Sequence, residues 1–550
     1  MAKTVISERF RAVFTASIAS MAISYVLILT DNIVAGQFVG KEAVAAMTLV
    51  APLMTLVLFL SYMVADGLAM MFSYAMGRND RVKANQLFGM GIIVSIVTGA
   101  VVTLILVLCR DEILSMWQIS DTLMIYAIEY YNGLMFVPLP CILNVFFYTI
   151  YVAEGEENIC VRAATAMFIV NMVLDVVLGK LIGVIGIGIA TTIGNLVSFL
   201  YHVPYLFKAD CRLKFLRYFN AKELWQGIFY SWYHSMDTLC LALLPLIFSE
   251  FIIFRFGEGH LIIVTVIVNM ITLLIAIYTG IVDCLQPMVC QYHAEGALHS
   301  VFKTMRLGIR STVVVTLALI LFSFIFAEVL PQLFGVEHND PLYSEAVHAV
   351  RIFMPFTIFL GVTLMLSNYY IYIEELNLGA LIKFLLLLVL PSAGMFAGFF
   401  GIKFLWAGVG GSFIVTLIVN RLLTRKRHGL LLIDGKIFKR QFSFDMRPVK
   451  KELPALMKEL EKYFAAIKLD DGQKIFWRRL IEQIFAFYVE QPARKNFQLE
   501  ISLIPTAETM TLIIRDNGDP ANPLDRIDAL NVREKNYIVS GDENKLVIVA

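Results

Sequence analysis

The chain has 550 residues, of which 59% are hydrophobic and only 16% charged, and its formal net charge is +1. Soluble domains carry about a quarter charged residues, so a mean hydropathy of +0.74 excludes a wholly soluble protein. A charge so near neutral gives no reason to expect a nucleic-acid partner.

Runs of about twenty apolar residues, the length that crosses ~30 Å of hydrocarbon, fall at 13–35, 44–74, 86–109, 122–151, 161–179, 185–207, 226–254, 260–291, 307–329, 346–372, 380–400 and 403–423. They predict an all-α membrane protein of twelve helices in two six-helix lobes, one over 8–207 and one over 226–428, joined by a linker at 208–225. The N-terminus starts with charged residues and has no small-residue cleavage site, so no removable signal peptide is expected. Lys and Arg collect in alternate loops, among them Arg78, Arg81 and Lys83, the linker residues Lys208, Arg212, Lys214, Arg217 and Lys222, and Arg425, Lys426 and Arg427. Basic loops stay in the cytosol, so both termini are expected there, in a multi-pass protein of the cell membrane. The seven cysteines show no CxxC pair or metal-ligand spacing and read as reduced packing residues.

A faint repeat runs through this pattern. At an offset of 217 residues Asp66 meets Asp283, Leu68 meets Leu285, Met71 meets Met288, Gly91 meets Gly308, Gly40 meets Gly257, and Phe136-Val137-Pro138 meets Phe353-Met354-Pro355. Duplicated bundles packed around a central cleft are a common plan for secondary transporters.

After His428 the composition changes. Charged residues become frequent, and helical periods at 448–467 and 473–488 alternate with strand-like runs at 441–446, 497–504 and 511–515. These predict a small cytosolic two-layer α/β domain over 431–550.

Ionisable groups at membrane depth cost on the order of 2.5–3.5 kcal/mol on insertion scales, so each is a candidate for function. Asp31 lies in the first helix, and Asn171 and Asp175 lie one turn apart on one face of the fifth. Two readings stand: a cluster that holds H+ or Na+, or carboxylates at the water interface that cap helix ends. The cluster is not repeated, since position 248 is Phe, whereas Asp66 and Asp283 are shared and read as architectural or cleft-lining. Asp237 is read as interfacial, and Glu250 either faces the cleft or pairs with Arg255. Tyr74, Tyr278 and Gln286 are candidates for a cleft that takes flat organic molecules, with core packing as the alternative for each.

The run Asp31-Asn32-Ile33-Val34-Ala35-Gly36-Gln37-Phe38-Val39-Gly40 resembles the first-helix signature of the multidrug and toxic compound extrusion (MATE) family. Asn171-Met172-Val173-Leu174-Asp175 with Gly186-Ile187-Gly188-Ile189-Ala190-Thr191-Thr192 is similar to its fifth- and sixth-helix signature, and Gly280 to Gln286-Pro287, leading to Ala294-Glu295-Gly296, to its eighth. The resemblance spans about 8–428 and implies an alternating-access antiporter that exports organic, often cationic, compounds against H+ or Na+. It implies that Asp31, Asn171 and Asp175 form the cation site, with Thr191 or Thr192 as the nearby hydroxyl. Family members with a second cation site use an Asp in the tenth helix, and none stands between Phe353 and Tyr372.

The tail resembles the ATP-binding domain of histidine kinases and anti-sigma factors, on Leu480-Ile481-Glu482-Gln483-Ile484 and Asp516-Asn517-Gly518-Asp519-Pro520. The resemblance implies a nucleotide site at Glu482, Asp516 and Gly518. That site is degenerate, because Ala486 replaces the Mg2+-holding Asn and no glycine-rich lid follows. ATP turnover is therefore not expected; nucleotide sensing and contact with a cytosolic protein both stay open. The chain is expected to be a transporter rather than an enzyme, with no cofactor beyond its coupling ion and with the bilayer and small organic substrates as partners. Two rivals are a flippase of lipid-linked precursors and a membrane sensor signalling through the tail.

Overall fold

The computed structural model describes residues 4–115, 121–209, 211–333, 338–491, 497–506, 508–525, 532–540 and 543–550, so residue 210 of the expected linker lies outside it. The first half of the chain folds as α1 (Val5–Phe38), α2 (Lys41–Gly77), α3 (Arg81–Leu108), the short α4 (Arg110–Ser115), α5 (Asp121–Leu134), α6 (Pro138–Glu154), α7 (Glu157–Ile182) and α8 (Val184–His202). The second half contains α9 (Ala221–His234), α10 (Met236–Phe256), α11 (Leu261–Ala294), α12 (Leu298–Ile325), α13 (Leu330–Leu333), α14 (Tyr343–Phe353), α15 (Thr357–Tyr372), α16 (Leu376–Phe384), α17 (Leu390–Gly394) and α18 (Ile402–Thr424). Among the described residues ten helical stretches are long and apolar enough to cross a membrane, and the pair α5–α6, bent by 51°, makes an eleventh if counted as one span.

Several spans expected to be continuous are interrupted. The run 122–151 breaks between α5 and α6 at Pro138, and 346–372 passes through a 3-10 turn, Met354–Phe356, at Pro355. Proline lacks an N–H and disfavours helix in the residue before it, so the repeated Phe-x-Pro anchors interrupt the α-helix in both halves, with a 51° bend in the first and a 3-10 turn within one span in the second. The run 226–254 breaks at Ser235, and 380–400 changes to a π turn at Leu385–Val389.

Packing differs between the two ends of the bundle. At the end where α1 starts and α2 finishes, the halves share one apolar core, with Phe10, Phe72, Tyr151, Cys284, Met288, Tyr292, Tyr369 and Tyr372 buried together. At the other end the cores are separate. One is built in the first half around Val34, Met47, Val57 and Ile187, the other in the second half around Phe248, Ile267, Val350 and Trp406. Small residues set the close approach at the shared end: a Cβ on Gly67 would stand 1.8 Å from the Gly227 carbonyl oxygen, and one on Gly77 2.4 Å from that of Gln291.

Beyond α18 lie α19 (Gly435–Arg440), β1 (Phe442–Met446), α20 (Leu453–Ile467), α21 (Asp471–Glu490), β2 (Leu499–Pro505), β3 (Met510–Asp516), β4 (Glu534–Ser540) and β5 (Glu543–Val549). The strands form one antiparallel sheet in the order β1-β2-β3-β5-β4. Side chains alternate across it. Leu499, Ile501, Leu503, Leu512, Ile514, Leu546 and Ile548 meet α20 and α21 in a core of their own. Glu500, Arg515, Glu543 and Lys545 project from the opposite face and are also buried, because that face lies on the membrane helices.

Burial pushes the Glu500 carboxyl up, but the charges of Lys303 and Arg515 outweigh it and hold it at about 2, against an ordinary 4.5. A depressed carboxylate stabilises the state that holds it at all pH above its free value. The Glu500 contribution to the stability of the folded, docked tail is therefore complete above about pH 4.5 and is lost as the pH falls through that value towards about 2. The protection factors of the β2 and β3 amides, intrinsic exchange rates divided by the observed ones at each pH, should stay flat between neutral pH and pH 5 and fall below it.

Candidate functional site

Three helices of the first half, α1, α7 and α8, bring the sequence-predicted cluster together. Asn171 and Asp175 on α7 are fully buried and Asp31 on α1 is 9% exposed. The carboxyls of Asp31 and Asp175 are in hydrogen-bonding contact. One turn along α7, the Asn171 amide donates to Thr191 Oγ1 at 3.5 Å. Thr192 turns the other way and donates to the Gly133 carbonyl at 2.8 Å, so of the two threonines only Thr191 belongs to the cluster. Tyr130 on α5 lies beside both carboxylates. Nothing in its sequence surroundings marks it.

A cavity of about 500 Å³ adjoins this cluster. Asp31, Asn32, Tyr130 and Thr191 line one part; Tyr62, Asp66, Ser73 and Tyr148 line another, and Asp283, Gln286 and Pro287 of α11 close it from the second half. No Lys or Arg is among its described lining residues. The other three cleft candidates lie elsewhere. Tyr74 is in the shared core and donates to the Tyr372 carbonyl. Tyr278 is in the second-half core, bonded to Thr316 and the Thr357 carbonyl, and Glu250 is exposed on α10.

The two repeat-related aspartates have different surroundings. Asp66 Oδ2 lies 2.9 Å from His234 Nδ1, and His234 Nε2 lies 3.0 Å from the Tyr372 hydroxyl, a chain that crosses from the first half to the second. Behind it the Lys383 ammonium donates to Asn368 Oδ1 at 2.9 Å and to the His234 carbonyl, and Asp237 stands 3.9 Å away. His234, Lys383 and Tyr372 carry no sequence signal, because their partners are distant in the chain. Asp283 makes no such pair with His234; it feels the charges of His234, Asp66, Asp237 and Lys383 while facing the cavity.

At the tail's predicted nucleotide site, Asp516 is 1% exposed and accepts hydrogen bonds from Tyr488, Asn544 and the Gly518 amide. Burial raises its carboxyl from the ordinary value, against the lowering by these three donors. Glu482 pairs with Arg478 one turn away at 3.1 Å. A Cβ on Gly518 would meet the Phe497 ring at 2.7 Å.

The model of the MatE family matches residues 16–177 and 235–393. No curated protein matches. Among solved structures, a MATE protein in complex with MaL6 aligns at 19% identity with a TM-score of 0.71, covering 78% of this chain and 98% of that one. A MOP superfamily transporter from Pyrococcus furiosus, described as having a binding pocket of reverse polarity that suggests a different function, aligns at 19% identity and 0.71, covering 77% and 96%. The outward-facing form of a multidrug resistance MATE transporter aligns at 20% identity and 0.71, with the same coverage. Identities this low establish the fold. The family match covers more than half of the chain, which belongs to the MatE family and is a multi-pass membrane transporter, not an enzyme.

Proposed function

We propose that the protein is a secondary antiporter that exports organic cations against an inward flow of H+ or Na+. The observation that carries this reading is the cavity whose wall carries Asp31, with Asp175 in contact behind it, and only acidic ionisable groups, besides His202, Tyr and Cys, in its described lining. Two carboxyls in contact cannot both ionise cheaply, so the pair holds a proton or an equivalent cation, and Asn171 and Thr191 offer further oxygens. An acidic cavity attracts a positively charged organic molecule and repels the phosphate of a lipid-linked precursor, which calls for Arg or Lys. That disfavours the flippase reading.

The ten spans, the bent pair and α1, itself 34 residues long, make up the twelve crossings, six in each lobe. The basic loops and the tail then share the cytosolic face of the cell membrane, with both termini there. The tail forms a degenerate domain over 431–550. Its Asp516 has its oxygens taken by its own neighbours, which favours a role through contact over nucleotide sensing.

In proteoliposomes, a cationic dye should leave against an imposed H+ or Na+ gradient and stay when the gradient is collapsed. Movement indifferent to both gradients would overturn the antiporter.

A further inference from the structure

The charged face of the C-terminal sheet is buried against both halves of the transporter. Arg515 lies at its centre, 2.7 Å from Glu500 and 3.0 Å from Glu543 within the sheet, and bonded to Glu295 at the end of α11. Lys303 on α12 reaches Glu500 at 2.9 Å and Asp445 at 2.7 Å. Gln441 bonds the backbone of Gly296 and Leu298. These contacts hold the domain to the second half. To the first half it is held by Arg9–Glu543 at 3.0 Å and Asn517 on Glu8, and to the linker by Arg212 on the Val539 carbonyl. Two residues bridge both halves: Glu543 accepts from Arg9 of α1 and, at 3.1 Å, from the Tyr292 hydroxyl of α11, and Lys545 bonds Glu295 at 2.8 Å and the Met76 carbonyl, at the end of α2, at 3.2 Å.

Met76 and Glu295 flank the place where the halves touch, since Gly77 of α2 packs on Gln291 of α11. An alternating-access cycle must part the halves there. Lys545 cannot follow both. We propose that the C-terminal domain is an autoinhibitory clamp that locks the two halves together at this end. It stays on α11 and α12 through Arg515, Glu500 and Lys303, and transport requires that it release α2, the start of α1 and the 208–220 stretch. The second-half attachment is the more extensive, with Arg515 on Glu295, Lys303 on Glu500 and Asp445, Tyr292 on Glu543 and Gln441 on the backbone of Gly296 and Leu298.

This rests on the antiporter reading, and the test separates the two. In a background with Cys109 and Cys211 replaced by Ser, Met76→Cys and Lys545→Cys are joined by a bis-maleimide with a reducible spacer, in reconstituted full-length protein. The clamp predicts that gradient-driven dye efflux stops on cross-linking and returns on reduction. Lys545→Met with Arg212→Ala, which removes the ties to α2 and to the linker and keeps Arg515, Glu500 and Lys303 in place, should raise the initial rate about tenfold, the weight of a charged hydrogen bond. Efflux that continues through the cross-link, or an unchanged rate in the well-folded Lys545→Met/Arg212→Ala protein, would overturn the clamp. Loss of gradient-driven efflux already in the uncross-linked parent would instead overturn the antiporter.

Discussion

An Asp31→Asn protein should lose between about fivefold and 150-fold of its gradient-driven efflux, the usual span of a coupling free energy between two ligands, and Asp175→Asn should behave alike. The two carboxyls touch, and one shared proton or cation relieves the repulsion between them. Replacing either with an amide removes that repulsion, and with it the reason for a cation to bind. Substrate binding in detergent should survive, because the cavity keeps Asp66 and Asp283, and downhill exchange of labelled for unlabelled dye should continue. The pH profile of efflux should flatten. Thr192→Val is the internal control, because its hydroxyl bonds Gly133 and faces away from the pair. Undiminished efflux from Asp31→Asn would remove the cluster from the mechanism.

What could be read from the sequence follows from the range of each interaction. Apolar runs act locally, so the spans were legible, while the breaks at Pro138, Met354–Phe356 and Ser235 fell inside runs expected to be continuous, because the hydropathy that marks a span does not mark where its helix is interrupted. The i, i+4 spacing placed Asn171 and Asp175 on one face, and the structure sets Asp31 against that face. Spacing could not show that Thr191 joins the cluster and Thr192 leaves it, because adjacent residues diverge by about 100° around a helix and only the position of α5 decides which side is occupied. The repeat paired Asp66 with Asp283 but said nothing of their surroundings: both line the cavity, and only Asp66 is bonded to His234 at 2.9 Å. In the tail, β4 and β5 were missed. β5 lies inside the sheet with Leu546 and Ile548 on one core and Val547 in another small cluster with Ala297, so its apolar residues do not alternate with polar ones.

Gly67→Ala should disable transport nearly as completely, without touching any carboxylate. The added methyl would sit 1.8 Å from the Gly227 carbonyl oxygen and 2.7 Å from Ser231 Oγ, and the backbone of α9 cannot rotate out of the way as a side chain could. Overpacking of this kind costs about 1–3 kcal/mol, enough to shift the ratio of closed to open forms at this end by roughly one to two powers of ten. The cost falls on one state only, because Gly67 and Gly227 meet across the seam between the halves and separate when that seam opens. A protein biased towards the open form exposes what the shared core hides, so Cys284 and Cys290, both unexposed in this structure, should become reactive to maleimide, as read by peptide mass spectrometry. Gly411→Ala, where an added Cβ meets nothing within 4 Å, should leave both labelling and efflux unchanged. Normal efflux with unreactive cysteines in Gly67→Ala would mean that α2 and α9 do not form the moving seam.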